Sequence, residues 1–391
     1  MEKKRIKIAI LSISSIILIW LTASAILADV QAHFPGVDQS LIQMVLTIPS
    51  LFGLIFAFAS GPISMKIPKK TIAIFALTSG LTGGMVALFW GTASIGVLLF
   101  SSVLIGIAQG IITTMSMALI AHYYTGKECS AMMGLQSAFA NGGSMVLLFI
   151  SGILAGVQWN YSYLVYLAFI PVIFITMKYL PKDQPTLDGE EQHIEKIGKL
   201  NGTVYFTALV MFLFGVFSFV FQTNIALLVV SKGFGNATTS GFVNTTISAA
   251  GMVTGILFGG LLRTLKSLTI PVALFVQGMG MVLVFTIGTL PALFIAAICL
   301  GIGLSTVMPA GTFIASNAVS PLMRATAIAI ITAAVNLGIF LSPIIMNVLV
   351  DTFAGGNLIF KFMISAIGLF MLALLTLIVN NLMVKKSCNN N

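Results

Sequence analysis

An all-α membrane protein of twelve transmembrane helices, arranged as two six-helix halves with both termini in the cytoplasm, is the fold class that the sequence predicts. Three observations predict it: too few charges for a surface that faces water, apolar runs long enough to span a bilayer, and a one-sided distribution of lysine and arginine.

The chain has 391 residues, of which 58% are hydrophobic and 7% charged, and its mean hydropathy is +1.08. Soluble domains carry about 25% charged residues, so lipid must be the solvent for most of this surface. The hydrocarbon core of a bilayer is about 30 Å thick, and about 20 apolar residues cross it as a helix. Backbone groups in lipid must pair internally, which admits only helices and closed barrels. Barrel strands read as short alternating segments, whereas the apolar runs here, such as 6–28 and 359–382, are long and unbroken. Lys3, Lys4, Arg5 and the run ending in Ala23-Ser24-Ala25 have the look of a signal peptide, but the length of the run favours an uncleaved first span.

Spans are expected at 6–28, 41–60, 71–90, 95–120, 129–155, 160–180, 202–230, 240–262, 270–289, 292–315, 325–350 and 358–382. The polar segment 181–200 divides them six and six. The expected domains are therefore an N-terminal bundle, 1–180, a cytoplasmic linker, 181–200, and a C-terminal bundle, 201–391. With the N-terminus inside, 17 of the 19 Lys and Arg residues fall on the cytoplasmic side, and only Lys232 and Lys361 fall outside. That is the positive-inside pattern. It accounts for the net charge of +9 without nucleic acid as a partner. The three cysteines, Cys129, Cys299 and Cys388, have neither metal-ligand spacing nor a disulfide pattern.

The halves are related. Gly106, Gln109 and Gly110 in span 4 align with Gly301, Leu304 and Ser305 in span 10 at an offset of 195, and Asn141 and Gly143 in span 5 align with Asn336 and Gly338 in span 11 at the same offset. The glycine Gly61, expected in the loop after span 2, meets Gly260 at an offset of 199. Parallel repeats of this kind place a substrate site near the bilayer midplane, between the halves.

Ionisable residues within a membrane are costly and mark function, yet none stands near the middle of any expected span. This argues against a membrane-embedded enzyme, whose chemistry needs an acid, a histidine or a metal, and no cofactor is implied. It also argues against a strongly charged substrate. Asp29 and His33, just after span 1, suit either an outer-rim proton relay or ordinary solvated positions. Phe214, Phe217 and Phe221 share a face of span 7 at helical spacing, suited to packing or to stacking a flat ligand. Gly251, Gly255 and Gly259 recur every fourth residue in span 8, the pattern of close helix packing. Pro49, Pro171, Pro309 and Pro343 predict bends.

Over nearly its whole length the sequence resembles the major facilitator superfamily. The family's loop after span 2 reads G-x-L-x-D-R-x-G-R followed by R or K. Here Gly61, Ile63, Lys66, Lys69 and Lys70 fit, with Met65 in place of the acid, which puts in doubt the cytoplasmic latch that the acid serves. Those lysines serve equally well as positive-inside anchors. Span 4 has Gly106 and Gly110 of R-x-x-x-G-x-x-x-G but Ser102 at the arginine, a position the family associates with proton coupling. Within the family, 29–51 and 134–143 look most like small bacterial permeases grouped with drug and sugar exporters, although Asn141-Gly142-Gly143 lacks the exporters' Gly-Pro.

The resemblance implies a plasma-membrane transporter with spans 1, 4, 7 and 10 lining a cavity and spans 2, 5, 8 and 11 beside it. It makes Trp20, Ser24, Gln109, Thr113, Gln136, Asn141, Gln222, Asn224, Asn244, Ser305 and Asn336 the candidate substrate-binding residues. Each of these amides and hydroxyls serves equally to pair helices. The expected activity is alternating-access transport of a small neutral or amphipathic organic molecule, with export favoured. The alternative is an uptake carrier or facilitator for a neutral polar metabolite such as a sugar or nucleoside, and the remote one a transporter-like sensor. The expected partners are the small-molecule substrate, the lipid bilayer, and protons or another coupling ion, with the protein acting as a monomer.

Overall fold

The computed structural model describes residues 2–181, 201–320 and 323–389, and every regular element among them is helical. In chain order these are α1 (Glu2–Ser14), a 3-10 segment (Ile19–Ala25), α2 (Leu27–His33), α3 (Gln39–Lys66), α4 (Lys69–Trp90), α5 (Ile95–Tyr123), α6 (Gly126–Ala155), a second 3-10 segment (Trp159–Ala168), α7 (Phe169–Tyr179), α8 (Gly202–Ser218), α9 (Val220–Ser231), α10 (Ala237–Leu265), a 3-10 turn (Lys266–Leu268), α11 (Thr269–Thr286), α12 (Leu290–Asn317), α13 (Arg324–Ala354) and α14 (Leu358–Asn389). The segment expected between the halves lies outside the described residues, apart from Pro181.

Eleven helical stretches among the described residues are long and apolar enough to cross a membrane. One of them, Ala237–Thr286, runs for 50 residues. At 1.5 Å per residue it would be about 75 Å long, more than twice the roughly 30 Å hydrocarbon core. It carries Arg263 and Lys266 at its centre, and Lys266 adopts φ 49°. It is therefore two spans joined at the 3-10 turn, and the expected twelve are recovered.

Local chemistry sets the helix ends. The side chains of Asp38, Ser94 and Asn357 accept the backbone N–H two residues on, from Ser40 at 2.7 Å, Gly96 at 3.0 Å and Ile359 at 3.0 Å, and so pair donors that a helix start leaves open. Gly355, with φ 56°, closes α13 in the left-handed region. Three spans depart from continuous α-helix. Span 1 breaks into turns at 15–18 before its 3-10 segment, span 6 opens with the 3-10 segment Trp159–Ala168, and span 7 is interrupted at Phe219, between α8 and α9.

The chain forms two compact units: Met1–Ile197 with Thr223–Thr245, and Gly198–Gln222 with Thr246–Asn391. Inside the first, a methyl group on Gly106 of α5 would stand 2.9 Å from the Pro49 Cα of α3, and one on Gly143 of α6 would overlap the Ser15 carbonyl of span 1. The second unit repeats both arrangements. Gly301 of α12 abuts the Ile247 carbonyl and Ala250 of α10, and Gly338 of α13 abuts the Phe212 carbonyl of α8. Contacts between spans 4 and 2 and between 5 and 1 thus recur as contacts between spans 10 and 8 and between 11 and 7. The amides agree: Asn141 Nδ2 donates to the Ser137 carbonyl at 3.0 Å, and Asn336 Nδ2 to the Thr332 carbonyl at 2.9 Å.

Two expectations are corrected. Gly61 lies within α3, which runs to Lys66, so only Ile67 and Pro68 separate α3 from α4. An alanine methyl costs less in that helix than the entropy of a glycine. In span 8, Gly251 packs closely, its backbone nitrogen 2.9 Å from where a Gly301 methyl would stand, but Gly255 and Gly259 face open space. The small-residue pattern is used at only one of its three positions. The phenylalanine face of span 7 is core. Phe214 and Phe221 are buried, and Phe217 packs with Phe212, Ile345, Leu349 and Ile364 around Val216, Val220 and Met346.

Valine at Gly143 or Gly338 should lower the melting temperature by several degrees, since either side chain must displace backbone. Gly61→Ala should leave it unchanged or raised. Thermal unfolding of the three variants in one detergent checks this.

Candidate functional site

The first unit contains eight of the eleven sequence candidates: Trp20, Ser24, Gln109, Thr113, Gln136, Asn141, Asn224 and Asn244. The second contains Gln222, Ser305 and Asn336. Several are committed to their own helix. Ser24 Oγ donates to the Leu21 carbonyl at 2.7 Å, Thr113 Oγ1 to Gln109 O at 2.7 Å, and Asn244 Nδ2 to Ser240 O at 3.0 Å. Asn141 and Asn336 make the symmetric bonds already described. Gln136 and Trp20 are buried, and Ser305 is half-buried.

Gln109 differs. It sits mid-span in α5, held against the Gly53 backbone of α3, where a methyl on Gly53 would come within 3.1 Å of its Oε1. That Oε1 is buried and has no hydrogen-bond partner among the described residues. Gln222 Oε1 in span 7 is in the same condition. An unpaired amide oxygen in hydrocarbon costs several kcal/mol, so each is a strong acceptor for a ligand N–H or O–H.

Asn224 belongs to a polar cluster of the first unit. Gln43 Nε2 of α3 donates to Asn224 Oδ1 at 2.7 Å and to the Thr223 carbonyl at 3.3 Å, and Asn224 Nδ2 donates to Thr223 Oγ1 at 2.9 Å. All three side chains are at most 2% exposed. In the same unit, Gly152 of α6 and Gly241 of α10 approach so closely that a methyl on Gly241 would stand 2.6 Å from Gly152 Cα, and Phe149 stacks on Phe242 with ring centres 5.2 Å apart. The ends of spans 7 and 8 farthest from the chain termini are thus closed onto spans 2 and 5.

Sequence reasoning passed over Gln43, although a lone amide in the apolar run 41–60 was the available signal. It likewise passed over Gln277, fully buried in α11, whose Oε1 accepts from Ser218 Oγ at 3.2 Å while its Nε2 is buried without a partner among the described residues. Lys361, one of the two cations expected on the outer side, lies one turn into α14 and is 2% exposed. Its signal was its place as the fourth residue of an apolar run.

The family motif positions have structural roles. Ser102, at the arginine position, donates to the Val45 carbonyl at 2.7 Å and to Leu98 O at 3.0 Å, joining span 4 to span 2. Lys70 donates to the Met177 carbonyl at 2.6 Å, one of the carbonyls left open at the end of α7. Lys66 is exposed and Lys69 half-buried.

The sequence profile of the Major Facilitator Superfamily matches residues 8–290 and 207–386. The chain belongs to the Major Facilitator Superfamily. Solved structures of superfamily type have the same fold. A bacterial homologue of the human lysosomal transporter Spinster, in an inward-facing and unoccupied conformation, has a TM-score of 0.77 at 15% identity, over 98% of each chain. A point mutant of the nucleoside transporter NupG has 0.73 at 14% identity, over 95% of this chain and 98% of that one. An auto-inhibited peptide transporter of the POT family has 0.72 at 13%, over 95% and 96%. No curated protein matches the chain in sequence. As a superfamily member it is a multi-pass membrane protein of a transporter family.

Asp29 and His33, which suit either an outer-rim proton relay or ordinary solvated positions, both lie in α2. His33 Nε2 lies 2.9 Å from the Thr92 carbonyl, and its ring meets Phe34 edge-on and Trp159 at 5.5 Å. Asp29 Oδ2 is buried without a partner among the described residues. Burial raises the Asp29 carboxyl above its ordinary pKa, against a smaller opposing effect from its own backbone hydrogen bond. The folded state therefore favours the protonated form. Stability is full below the ordinary carboxylate pKa and falls as pH rises through the raised native value. Asp29→Asn should melt higher than the parent at neutral pH, by on the order of 1 °C, with the difference vanishing in acid. A pH series of thermal scans measures this, and unchanged pH dependence of transport in the same variant would remove the relay.

Proposed function

We propose that the chain is a secondary transporter that moves a small neutral or amphipathic organic molecule across the plasma membrane by alternating access, in the direction of export. Gln109 carries the reading. A mid-span amide with an unspent acceptor, on a helix that the family uses to line its cavity, suits a hydroxyl or amine of a substrate better than it suits an ion. Trp20, Gln136 and Gln222 offer further aromatic and amide surface, whereas Ser24, Thr113, Asn141, Asn244 and Asn336 bond within their own helices. The cluster of Gln43, Thr223 and Asn224 with the Gly152–Gly241 approach would act as the outer gate, opened once per cycle.

A second reading, a carrier or facilitator for a neutral polar metabolite, is favoured by Ser102. Its hydroxyl is bonded to the α3 backbone, where the family's proton-coupling arginine would stand.

Accumulation of a lipophilic cationic dye in intact expressing cells tests the choice. Export predicts lower accumulation that returns to the control level when the proton gradient is dissipated. Unchanged accumulation, with saturable counterflow of a labelled sugar or nucleoside, would establish the second reading. In whichever assay responds, Gln109→Leu should reduce kcat/KM about tenfold, the effect of roughly 1.4 kcal/mol from one lost hydrogen bond, while expression stays normal.

A further inference from the structure

A groove of about 710 Å3 runs between α1, α6 and α7 of the first unit, within the roughly 300–1,000 Å3 of ligand pockets. Ile8, Leu11, Ile16, Phe139, Val146 and Ile175 line it, among others. It opens at the protein surface, where Phe139 and Val146 are 42% and 54% exposed. Its two serines have no hydrogen left to offer: Ser12 Oγ donates to the Ile8 carbonyl and Ser15 Oγ to the Ser12 carbonyl, each at 2.8 Å. The groove belongs to membrane-spanning segments, so what fills it is hydrocarbon.

Charge at one end says which hydrocarbon. On α1, Lys4 stands four residues before Ile8 and seven before Leu11, on the same helical face. On α7, Lys178 stands three residues after Ile175 and seven after Pro171, again on the groove face. Spans 1 and 6 run in opposite directions, so the start of α1 and the end of α7 meet at one end of the bundle. Both lysines are exposed. Glu128, an acid with a described side chain at this end of the fold, is paired with a different lysine, Lys3, at 3.4 Å. An apolar channel with two cations at its interfacial mouth matches an acidic lipid, chain in the groove and headgroup at the rim.

We propose that this groove binds one acyl chain of an acidic membrane phospholipid, with Lys4 and Lys178 holding its headgroup. The occupant would lie against Ser15 and Ile16, where span 1 departs from α-helix, and would brace that break from the lipid side. This site is separate from the substrate residues above and does not depend on their assignment.

The test is native mass spectrometry of the detergent-purified protein titrated with phosphatidylglycerol or with phosphatidylcholine of the same chains. The parent should retain phosphatidylglycerol at least tenfold better than phosphatidylcholine. K4Q/K178Q should lose that preference, and Val146→Trp, which fills the groove from an exposed position, should lose both lipids without a change in melting temperature. Lys232→Gln, an exposed cation elsewhere, should behave as the parent. Equal retention of the two lipids by the parent would overturn the proposal, as would parent-like retention in both groove variants.

Discussion

Inside a bilayer no water is available to pair a peptide N–H or carbonyl, so each span must satisfy its own backbone and then find reasons to touch its neighbours. The structure meets the second demand with glycine and serine. Gly106, Gly143, Gly301 and Gly338 bring helix backbones to a separation that a single methyl would forbid. Ser102, Ser342 and Ser365 donate to the carbonyls of Val45, Val216 and Phe217 on neighbouring spans. Lipid tails compete on equal terms with leucine for a leucine surface. Close approach and shared hydrogen bonds are what remain to select one helix pair over another.

The same constraint gives the interruptions their meaning. Spans 1 and 7 occupy matching places in the two halves, and both leave the α-helical path, at 15–18 and at Phe219. A break in hydrocarbon needs compensation. At span 1 the Ser15 hydroxyl takes up the Ser12 carbonyl, while Gly143 presses on the Ser15 backbone. At span 7 the 212–217 stretch is enclosed by Gly338, Val335 and Gly368. These are the helices that the superfamily resemblance assigns to a cavity, and a broken helix can bend there without unpicking a full ladder of bonds.

Polar side chains divide into two groups. The asparagines at 141, 244 and 336 return their amide hydrogens to the carbonyl one turn back and act as parts of their own helices. Gln43, Gln109 and Gln277 reach away from theirs, to span 7, to Gly53 and to Ser218. Asparagine also crosses where helices lie close enough: Asn160 Nδ2 donates to the Leu88 carbonyl at 3.0 Å. Composition alone does not separate these groups, because the partner lies on a helix distant in sequence.

Hydropathy and charge placement were enough to predict twelve helical spans, and recurring residues at a fixed offset to predict their pairing as a repeat. All three signals are one-dimensional: the length of an apolar run, the spacing of lysines, and the recurrence of Gly106, Asn141 and Gly143 at an offset of 195 residues. The tertiary structure decided which of those residues meet. It buried Lys361, drew Gly61 into α3, left Gly255 and Gly259 facing open space, joined Gln43 to Asn224 across 181 positions of sequence, and grouped the far ends of spans 7 and 8 with the first unit. The physical reason is that hydropathy reports transfer into lipid, which acts on each segment separately, whereas packing and hydrogen bonding between helices depend on rotation and register that no single segment contains.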